Sequence, residues 1–173
     1  MIFKTVRDRV AAIAMAVALV AGPAFAGPAE LDLLTSYVGE WRGDSELVGG
    51  NKPEPFKCRL TMAKGNQAKL NYSGRCTLVN MNLSVTGTIS YNDKERRYEA
   101  IMSTNAGFTG LAVGRIQGDK ISFKLEERQT DKGGNNIRIG SIIILEDDSI
   151  TVNYEVEFNE SGHVLTAMVP FAR

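Results

Sequence analysis

The sequence predicts an all-β protein: an antiparallel up-and-down β-barrel of about ten strands (8–10), with a short N-terminal helix closing one end. From Gly39 to the C-terminus, apolar and polar residues alternate with a period of two, which is typical of half-buried strands. Short turn segments separate the alternating runs at hairpin spacing. The outward positions carry Thr, Asn, Glu, Lys and Arg, the opposite polarity to an outer-membrane barrel. A two-sheet sandwich is the alternative architecture.

Residues 1–26 are predicted to be a signal peptide and not part of the fold. Lys4, Arg7 and Arg9 form a basic segment at the start of the chain. An apolar run follows, Val10 to Val20, and it is too short for a membrane-spanning helix. Ala24-Phe25-Ala26 then matches the small-residue cleavage rule. We therefore expect cleavage after Ala26, export to the periplasm, and a single domain over residues 27–173.

The charge and cysteine content exclude several classes of partner. The chain has 20 Lys+Arg and 20 Asp+Glu, and the two signs are interspersed. This balance gives no electrostatic footprint for nucleic acid and no polybasic cluster for a membrane surface. One histidine and two cysteines also lack the spacing of a zinc site, so no metal site is expected from these residues alone.

The first element is a short amphipathic helix. Leu31, Leu34 and Val38 recur near helical spacing beside Tyr37. So short a segment is not stable by itself, and it must pack on something. Strand 1 follows, and its inward-facing residues are Trp41, Gly43, Ser45 and Leu47.

Strands 2 and 3 form a hairpin that carries both cysteines on its inward face. A five-residue loop centred on Gln67 sets Cys58 directly opposite Cys76. Cross-strand pairing at that distance allows disulfide geometry, and an exported chain favours the bond. Closing so short a loop is worth about 3 kcal/mol. The inward residues are Phe56, Cys58, Leu60 and Met62 on strand 2 and Leu70, Tyr72, Gly74, Cys76 and Leu78 on strand 3.

The remaining strands follow from the same alternation. Strand 6, Phe108 to Gln117, contains Gly110 and Gly114, and its phase is not fixed by the pattern. Gly118-Asp119 is a tight hairpin signal, and residues 130–136 are the most loop-like stretch. The inward residues are Leu83, Val85, Gly87, Ile89 and Tyr91 on strand 4, Tyr98, Ala100 and Met102 on strand 5, Ile121, Phe123 and Leu125 on strand 7, Ile137, Ile139, Ser141, Ile143 and Leu145 on strand 8, Ile150, Val152, Tyr154, Val156 and Phe158 on strand 9, and His163, Leu165, Ala167, Val169 and Phe171 on strand 10.

The opening of strand 1 resembles a known family. Gly39-Glu40-Trp41, after a short helical turn, is similar to the G-x-W motif of the calycins: lipocalins, fatty-acid-binding proteins and avidins. The longer segment G-E-W-R-G also resembles the start of the nitrobindin-type ten-stranded haem barrels. The resemblance implies a single lipocalin-like β-barrel domain with Trp41 in its floor. In lipocalins a late basic residue lies across that tryptophan, and Arg173 is the match here. An Arg stacked on an indole gains about 0.5–2 kcal/mol.

The same resemblance raises a haem alternative. In nitrobindin-type barrels a histidine in the final strand region ligates the haem iron, and H-V-L-T-A-M around His163 is similar. Two features depart from that family: Ser45 replaces an expected glycine, and nitrobindins are typically cytosolic. The other interpretation of His163 is a solvent-facing side chain beside a turn. No cofactor is expected in the leading interpretation, and a metal is expected at His163 only if haem is bound.

Small inward residues on consecutive strands favour either a cavity or simple curvature. Gly43, Ser45, Gly74, Gly87 and Ala100 form this set. A cavity there suits a lipid-like ligand, whereas curvature alone leaves the lumen filled by aromatic side chains. The residues expected to contact a ligand are Met62, Tyr72, Tyr91, Met102, Tyr154 and His163.

No catalytic residue is expected. The chain has one histidine and no carboxylate predicted to face inward, so no acid–base pair is apparent. Glu126-Glu127 is placed at a turn or strand end. The leading hypothesis is a non-enzymatic periplasmic lipocalin-like protein that binds or carries a small apolar molecule. The alternatives are a haem-binding barrel using His163 and a protein-binding module. The latter resembles small bacterial inhibitors of secreted metalloproteases, with residues 27–34 in the protease cleft.

The outward face has one irregularity. Ile142, Ile144, Val164 and Met168 break its polar pattern, and the expected register brings Ile142 and Met168 into one row with Asn153. Such a patch can be a subunit surface, although scattered apolar residues are also normal. We expect a homodimer through these four residues.

Overall fold

The computed structural model describes residues 28–79, 82–131 and 133–173, and the predicted signal peptide lies outside them. These residues form one helix and ten antiparallel strands in a closed barrel, so the predicted fold class is confirmed. The elements are α1 (Pro28–Ser36), β1 (Gly39–Leu47), β2 (Glu54–Lys64), β3 (Leu70–Thr77), β4 (Asn82–Asn92), β5 (Arg97–Thr104), β6 (Thr109–Gln117), β7 (Lys120–Thr130), β8 (Asn136–Glu146), β9 (Ser149–Phe158) and β10 (His163–Ala172).

The barrel is up-and-down. Each strand pairs with its neighbours in the chain, and β1 pairs with β10 to close the sheet. Closure removes the free strand edges that an open sheet would leave. Because the strands alternate in direction, one end of the barrel holds the start of β1 and the other holds the start of β10. We call the end at which β1 starts the floor and the end at which β10 starts the mouth.

The β2–β3 hairpin has the register expected from the sequence. Cys58 pairs with Cys76 and Leu60 pairs with Gly74. The two cysteines form the disulfide, as predicted. Gln67 sits at the centre of the loop with a positive φ of 55°, a left-handed conformation suited to a tight turn.

Loss of this disulfide is expected to destabilise the barrel. Replacing Cys58 and Cys76 together by serine frees a loop with a sequence separation of 18 in the unfolded chain. The free energy of unfolding should fall by about 3 kcal/mol, measured by urea denaturation. Thr61 and Ser73, an outward-facing pair on the same two strands, provide the control. Their double alanine variant should stay within about 0.5 kcal/mol of wild type, and an equal loss in both variants would argue against a disulfide effect.

The floor is sealed by aromatic packing. Trp41 is 0% exposed, and its indole nitrogen donates a hydrogen bond to the backbone oxygen of Tyr37 at 3.0 Å. The guanidinium carbon of Arg173 lies 4.6 Å from the centre of the indole ring. Arg173 also donates a hydrogen bond to the backbone oxygen of Ser36 and lies 3.8 Å from the carboxylate of Asp148. Arg173 is therefore held across the tryptophan by three contacts.

Helix α1 is part of the floor. Leu34 and Tyr37, at the end of the helix and just after it, are almost completely buried in the core. The Tyr98 hydroxyl donates a hydrogen bond to the backbone oxygen of Glu30 at 3.4 Å. Insertion of this segment into a protease cleft would therefore require it to leave the barrel. Within the described residues no helix is long and apolar enough to cross a membrane.

The barrel wall is incompletely paired between β6 and β7. The ladder between them ends at Val113 and Lys124, although both strands continue toward the mouth. In that half the amide nitrogen of Gln129 donates a hydrogen bond to the backbone oxygen of Thr109 at 2.6 Å. In this stretch β6 and β7 are joined by one side-chain hydrogen bond, in place of the backbone hydrogen bonds of a paired ladder. We call this stretch the β6–β7 slit.

The closure between β1 and β10 is sparse for a different reason. Arg42 pairs with Ala172 near the floor, and Val48 forms an isolated bridge with Thr166 near the mouth. Pro170 lies between these two points and has no backbone N–H to donate. The closure is consequently held at both ends, whereas the β6–β7 slit is held by its ladder at the floor end only.

Candidate functional site

The lumen is closed toward the floor and accessible from the mouth. Side chains near the floor, such as Ile121 and Leu145, are completely buried. Some inward-facing side chains further toward the mouth keep partial exposure although they lie inside the barrel, whereas Ile137 and Ile139 on β8 are buried. The partly exposed residues are Met102, Ile143, Val152, Tyr154 and Phe158. Solvent therefore reaches part of the upper lumen, and the closed floor leaves the mouth as the accessible end.

The inward glycines mainly accommodate neighbouring side chains. A Cβ at Gly87 would collide with the Tyr72 ring, and a Cβ at Gly114 would collide with the Phe123 ring. The Tyr72 ring therefore lies against the wall, and its hydroxyl donates a hydrogen bond to the backbone oxygen of Ile101 at 3.2 Å. Of the two explanations for the small inward residues, packing accounts for both of these glycines.

The structure divides the predicted ligand-contacting residues into two groups. Met62 is 5% exposed and pairs with Gly39 at the start of β1, so it belongs to the floor. Tyr91 also lies there, with its ring edge-on to Tyr98 at a centroid distance of 4.9 Å. Tyr72 pairs with Met62, and its hydroxyl is bonded to the backbone of Ile101. The remaining predicted residues lie on the wall and at the mouth of the open part, and they are Met102, Tyr154 and His163.

His163 stands at the rim of the mouth. It is the first residue of β10 and pairs with Phe158, whose side chain packs against the core from inside. Paired residues on antiparallel strands point to the same side, which places His163 on the inward side. The imidazole is exposed, and its ring centroid lies 6.0 Å from that of Phe158. No described residue hydrogen-bonds to the imidazole, so both ring nitrogens are available to a ligand.

Tyr154 is the largest polar side chain in the open part of the lumen. It pairs with Ser141 on one side and Ala167 on the other, and both are small. Burial raises the pKa of its phenol to about 12. The Ser141 hydroxyl donates a hydrogen bond to the backbone oxygen of Asn153 at 2.8 Å and so does not reach Tyr154. The tyrosine hydroxyl has no hydrogen-bond partner among the described residues.

One functional group of the lumen was missed from the sequence. Glu127 pairs with the buried Ile139, and its side chain lies close to Gly110 on the inner wall. The expectation that no carboxylate faces inward is therefore wrong. The reason is that β7 runs on to Thr130, so the alternation continues past Leu125. Leu125 and Glu127 are two residues apart and therefore face the same side of the strand, so extending β7 by two residues in the sequence would have predicted this inward carboxylate.

The three most strongly shifted tyrosines predict alkaline sensitivity. Burial raises the pKa values of Tyr72, Tyr98 and Tyr154 to about 12. In the unfolded chain these phenols ionise near pH about 10, so above that pH the unfolded state loses protons that the barrel keeps. Stability is full below pH about 10 and falls as the pH rises through about 12. Urea unfolding across this range should show the fall, and phenolate absorbance should appear in step with it. Stability independent of pH there would contradict the burial of these rings.

The outward apolar residues follow the expected register. Ile142 and Met168 both pair with Asn153, and they are 45% and 61% exposed. Val164 is also exposed, whereas Ile144 is half-buried and contributes less surface. Homodimerisation through these residues stays a prediction.

Comparison with known proteins identifies the family. A search of curated proteins found no match. Chains of solved structures do match, among them the "Crystal Structure of Rv2717c from M. tuberculosis", with a TM-score of 0.65, 16% identity, and coverage of 83% of this chain and 96% of that chain. At that identity the similarity shows the fold alone. Residues 30–168 match the model of the THAP4-like, heme-binding beta-barrel domain. The chain therefore belongs to the family of THAP4-like, heme-binding β-barrel domains.

Proposed function

We propose that this protein binds haem at the mouth of the barrel, with the imidazole of His163 as the protein ligand of the iron. The observation that carries the proposal is the match of residues 30–168 to a haem-binding barrel family, together with the only histidine of the chain at the rim of the lumen. The leading expectation from the sequence, an apolar ligand carrier, gives way to this more specific ligand. A porphyrin is itself largely apolar, so the same lumen serves both interpretations.

The residues present fit a haem group. Among the described residues no cluster of three His, Cys, Asp or Glu side chains can hold a metal ion alone. Iron bound here must therefore take most of its ligands from the porphyrin and one from His163. The lumen wall next to the histidine is apolar, with Phe158 and Val156 on β9 and Leu165 on β10. Such walls suit the faces of a macrocycle.

The chain's own contribution is to bind, orient and exclude water. The sealed floor prevents solvent from passing through the barrel, so a ligand at the mouth is wetted from one side only. Packing of Phe158 against the imidazole restricts the ring orientation of His163. When bound, haem supplies an iron centre for electron transfer or for binding small ligands. Which of these it performs is set by the polar groups around it.

We further propose that the protein works in the periplasm. The basic segment, the apolar run and the A-x-A site at the start of the chain support export. The disulfide between Cys58 and Cys76 supports the same compartment, because such bonds persist in oxidising environments and are rare in the cytosol. Fractionation of the native host, with detection of the shortened mature chain, tests this proposal.

Titration of the purified apoprotein with haemin tests the haem proposal. We expect a Soret band that saturates at one haemin per chain and a matching mass increase in native mass spectrometry. Met168→Ala changes the outer face of the strand that carries His163, and it should bind haemin like the wild type. A protein that stays colourless and unshifted in mass after haemin addition would refute the proposal.

A further inference from the structure

Most hydroxyl groups on the inner wall are already satisfied by the backbone. Each of four such side chains hydrogen-bonds to a backbone carbonyl oxygen. These side chains are Ser45 to Met168, Tyr72 to Ile101, Thr104 to Phe108 and Ser141 to Asn153. A ligand in the lumen gains nothing from groups that are already paired.

Tyr154 is different. No described residue hydrogen-bonds to its hydroxyl, and every fully buried side-chain polar atom in the described part of the chain has a partner. The hydroxyl is therefore in contact with the solvent-accessible lumen. Its neighbours in the same row, Ser141 and Ala167, are too short to cover it.

The hydroxyl also lies deeper than the histidine. Tyr154 pairs with Ala167, four residues further into the barrel along β10 than His163. That separation corresponds to about 13 Å along the strand. A ligand held by His163 at the rim and extending inward thus approaches a free hydrogen-bond donor at its inner end.

We propose that Tyr154 is the specificity-determining hydrogen-bond donor of the lumen and selects ligands that carry an acceptor oxygen or an anion at their buried end. The inference rests on the proposed haem site for the identity of the main ligand. With haem, the acceptor is either a propionate carboxylate or an anion bound to the iron. Both present the same chemistry to the phenol, and the experiment separates them.

Physical chemistry makes this donor selective. Because burial raises the pKa of Tyr154 to about 12, the phenol keeps its proton at any physiological pH. In an apolar lumen a hydrogen bond is stronger than in water, and a donor covered by hydrocarbon loses its solvation without compensation. The site therefore favours acceptor-bearing ligands and penalises purely apolar ones of the same size.

The test compares two tyrosine-to-phenylalanine variants. Tyr154→Phe removes the free hydroxyl and keeps the ring. Tyr72→Phe is the matched control, since its hydroxyl is already bonded to Ile101 and its ring lies against the wall. Three probes are titrated into wild type and both variants: haemin, haemin dimethyl ester, and fluoride added to the haemin-loaded proteins.

We expect Tyr154→Phe, and not Tyr72→Phe, to lose about tenfold in its affinity for either haemin or fluoride. A loss for haemin but not for its dimethyl ester identifies a propionate as the acceptor. A loss for fluoride with unchanged haemin affinity identifies an anion on the iron. Unchanged affinities of Tyr154→Phe for all three probes, or equal losses in Tyr72→Phe, would overturn the inference. Neither result would contradict the proposed haem site.

A fourth probe keeps the inference testable if haemin does not bind. The apoproteins are titrated with cis-parinaric acid, a fluorescent fatty acid, and with diphenylhexatriene, a fluorescent hydrocarbon. Tyr154→Phe should weaken binding of the acid about tenfold and leave the hydrocarbon unchanged or slightly tighter. Absence of haemin uptake by wild type refutes the proposed function. Equal binding of the acid by wild type and Tyr154→Phe then refutes the role of Tyr154.

Discussion

Replacing His163, the proposed iron ligand, by alanine is expected to weaken haemin binding by about 100-fold or more. The physical reason is that the described residues offer no second histidine and no metal-binding cluster to replace it. The apolar lumen alone can still adsorb a porphyrin, so weak binding with a broad, shifted Soret band should remain. The electron paramagnetic resonance signature of an imidazole-ligated ferric haem should be absent.

The measurement is a haemin titration followed by absorption and electron paramagnetic resonance. Val164→Ala, the adjacent residue on the outward side, is the matched control and should behave as wild type. The thermal midpoints of both variants should also match wild type, because the His163 side chain is exposed and contributes little to the core. Retention of full haemin affinity by His163→Ala would show that another group holds the iron.

Replacing Trp41 by alanine is expected to lower the free energy of unfolding by about 3–5 kcal/mol. The indole is 0% exposed, and its removal leaves a large cavity between Tyr37, Arg173 and the strands of the floor. It also leaves the backbone oxygen of Tyr37 without its indole donor. Haemin affinity should stay near the wild-type value while the barrel remains folded, because the floor and the mouth lie at opposite ends.

Urea denaturation of the haemin-free proteins measures this loss in the free energy of unfolding. Arg173→Ala is the graded comparison: it keeps the indole and removes the cation above it, and should cost about 0.5–2 kcal/mol. A Trp41→Ala variant as stable as Arg173→Ala would mean that the floor collapses around the gap. A stable Trp41→Ala variant that loses haemin would place the ligand at the floor and contradict the assignment of the mouth.

Alternation fixes which side of the wall a residue faces, and this accounts for the parts of the fold that were predicted correctly. The pairing of Cys58 with Cys76 followed from parity and one loop length. In the same way, the short turns between β8 and β9 and between β9 and β10 predicted that Ile142, Asn153 and Met168 lie in one row. Both cases depend only on local geometry, which a single sequence contains.

Height within the barrel was not predictable in the same way. Met62 and Tyr91 face inward as expected, yet they lie at the floor and not in the open part of the lumen. The height of a residue depends on how far each strand is staggered against the next, and that shear is a property of the closed sheet. The inward carboxylate of Glu127 was missed because the end of β7 was placed too early. The inward position of His163 was predicted from the alternation, and the structure adds that its imidazole is exposed at the rim beside Phe158.

The unpaired mouth half of β6 and β7 also has a consequence for motion. Apart from the sparse closure between β1 and β10, separating two neighbouring strands breaks a row of backbone bonds, whereas here it breaks chiefly the contact from Gln129 to Thr109. The free energy of local opening is therefore low along this line, and the amide protons of β6 nearest the mouth should exchange with solvent ahead of those in the strands that are paired along their whole length. Spreading these two strands would widen the mouth, while the disulfide-bonded wall on β2 and β3 stays in place.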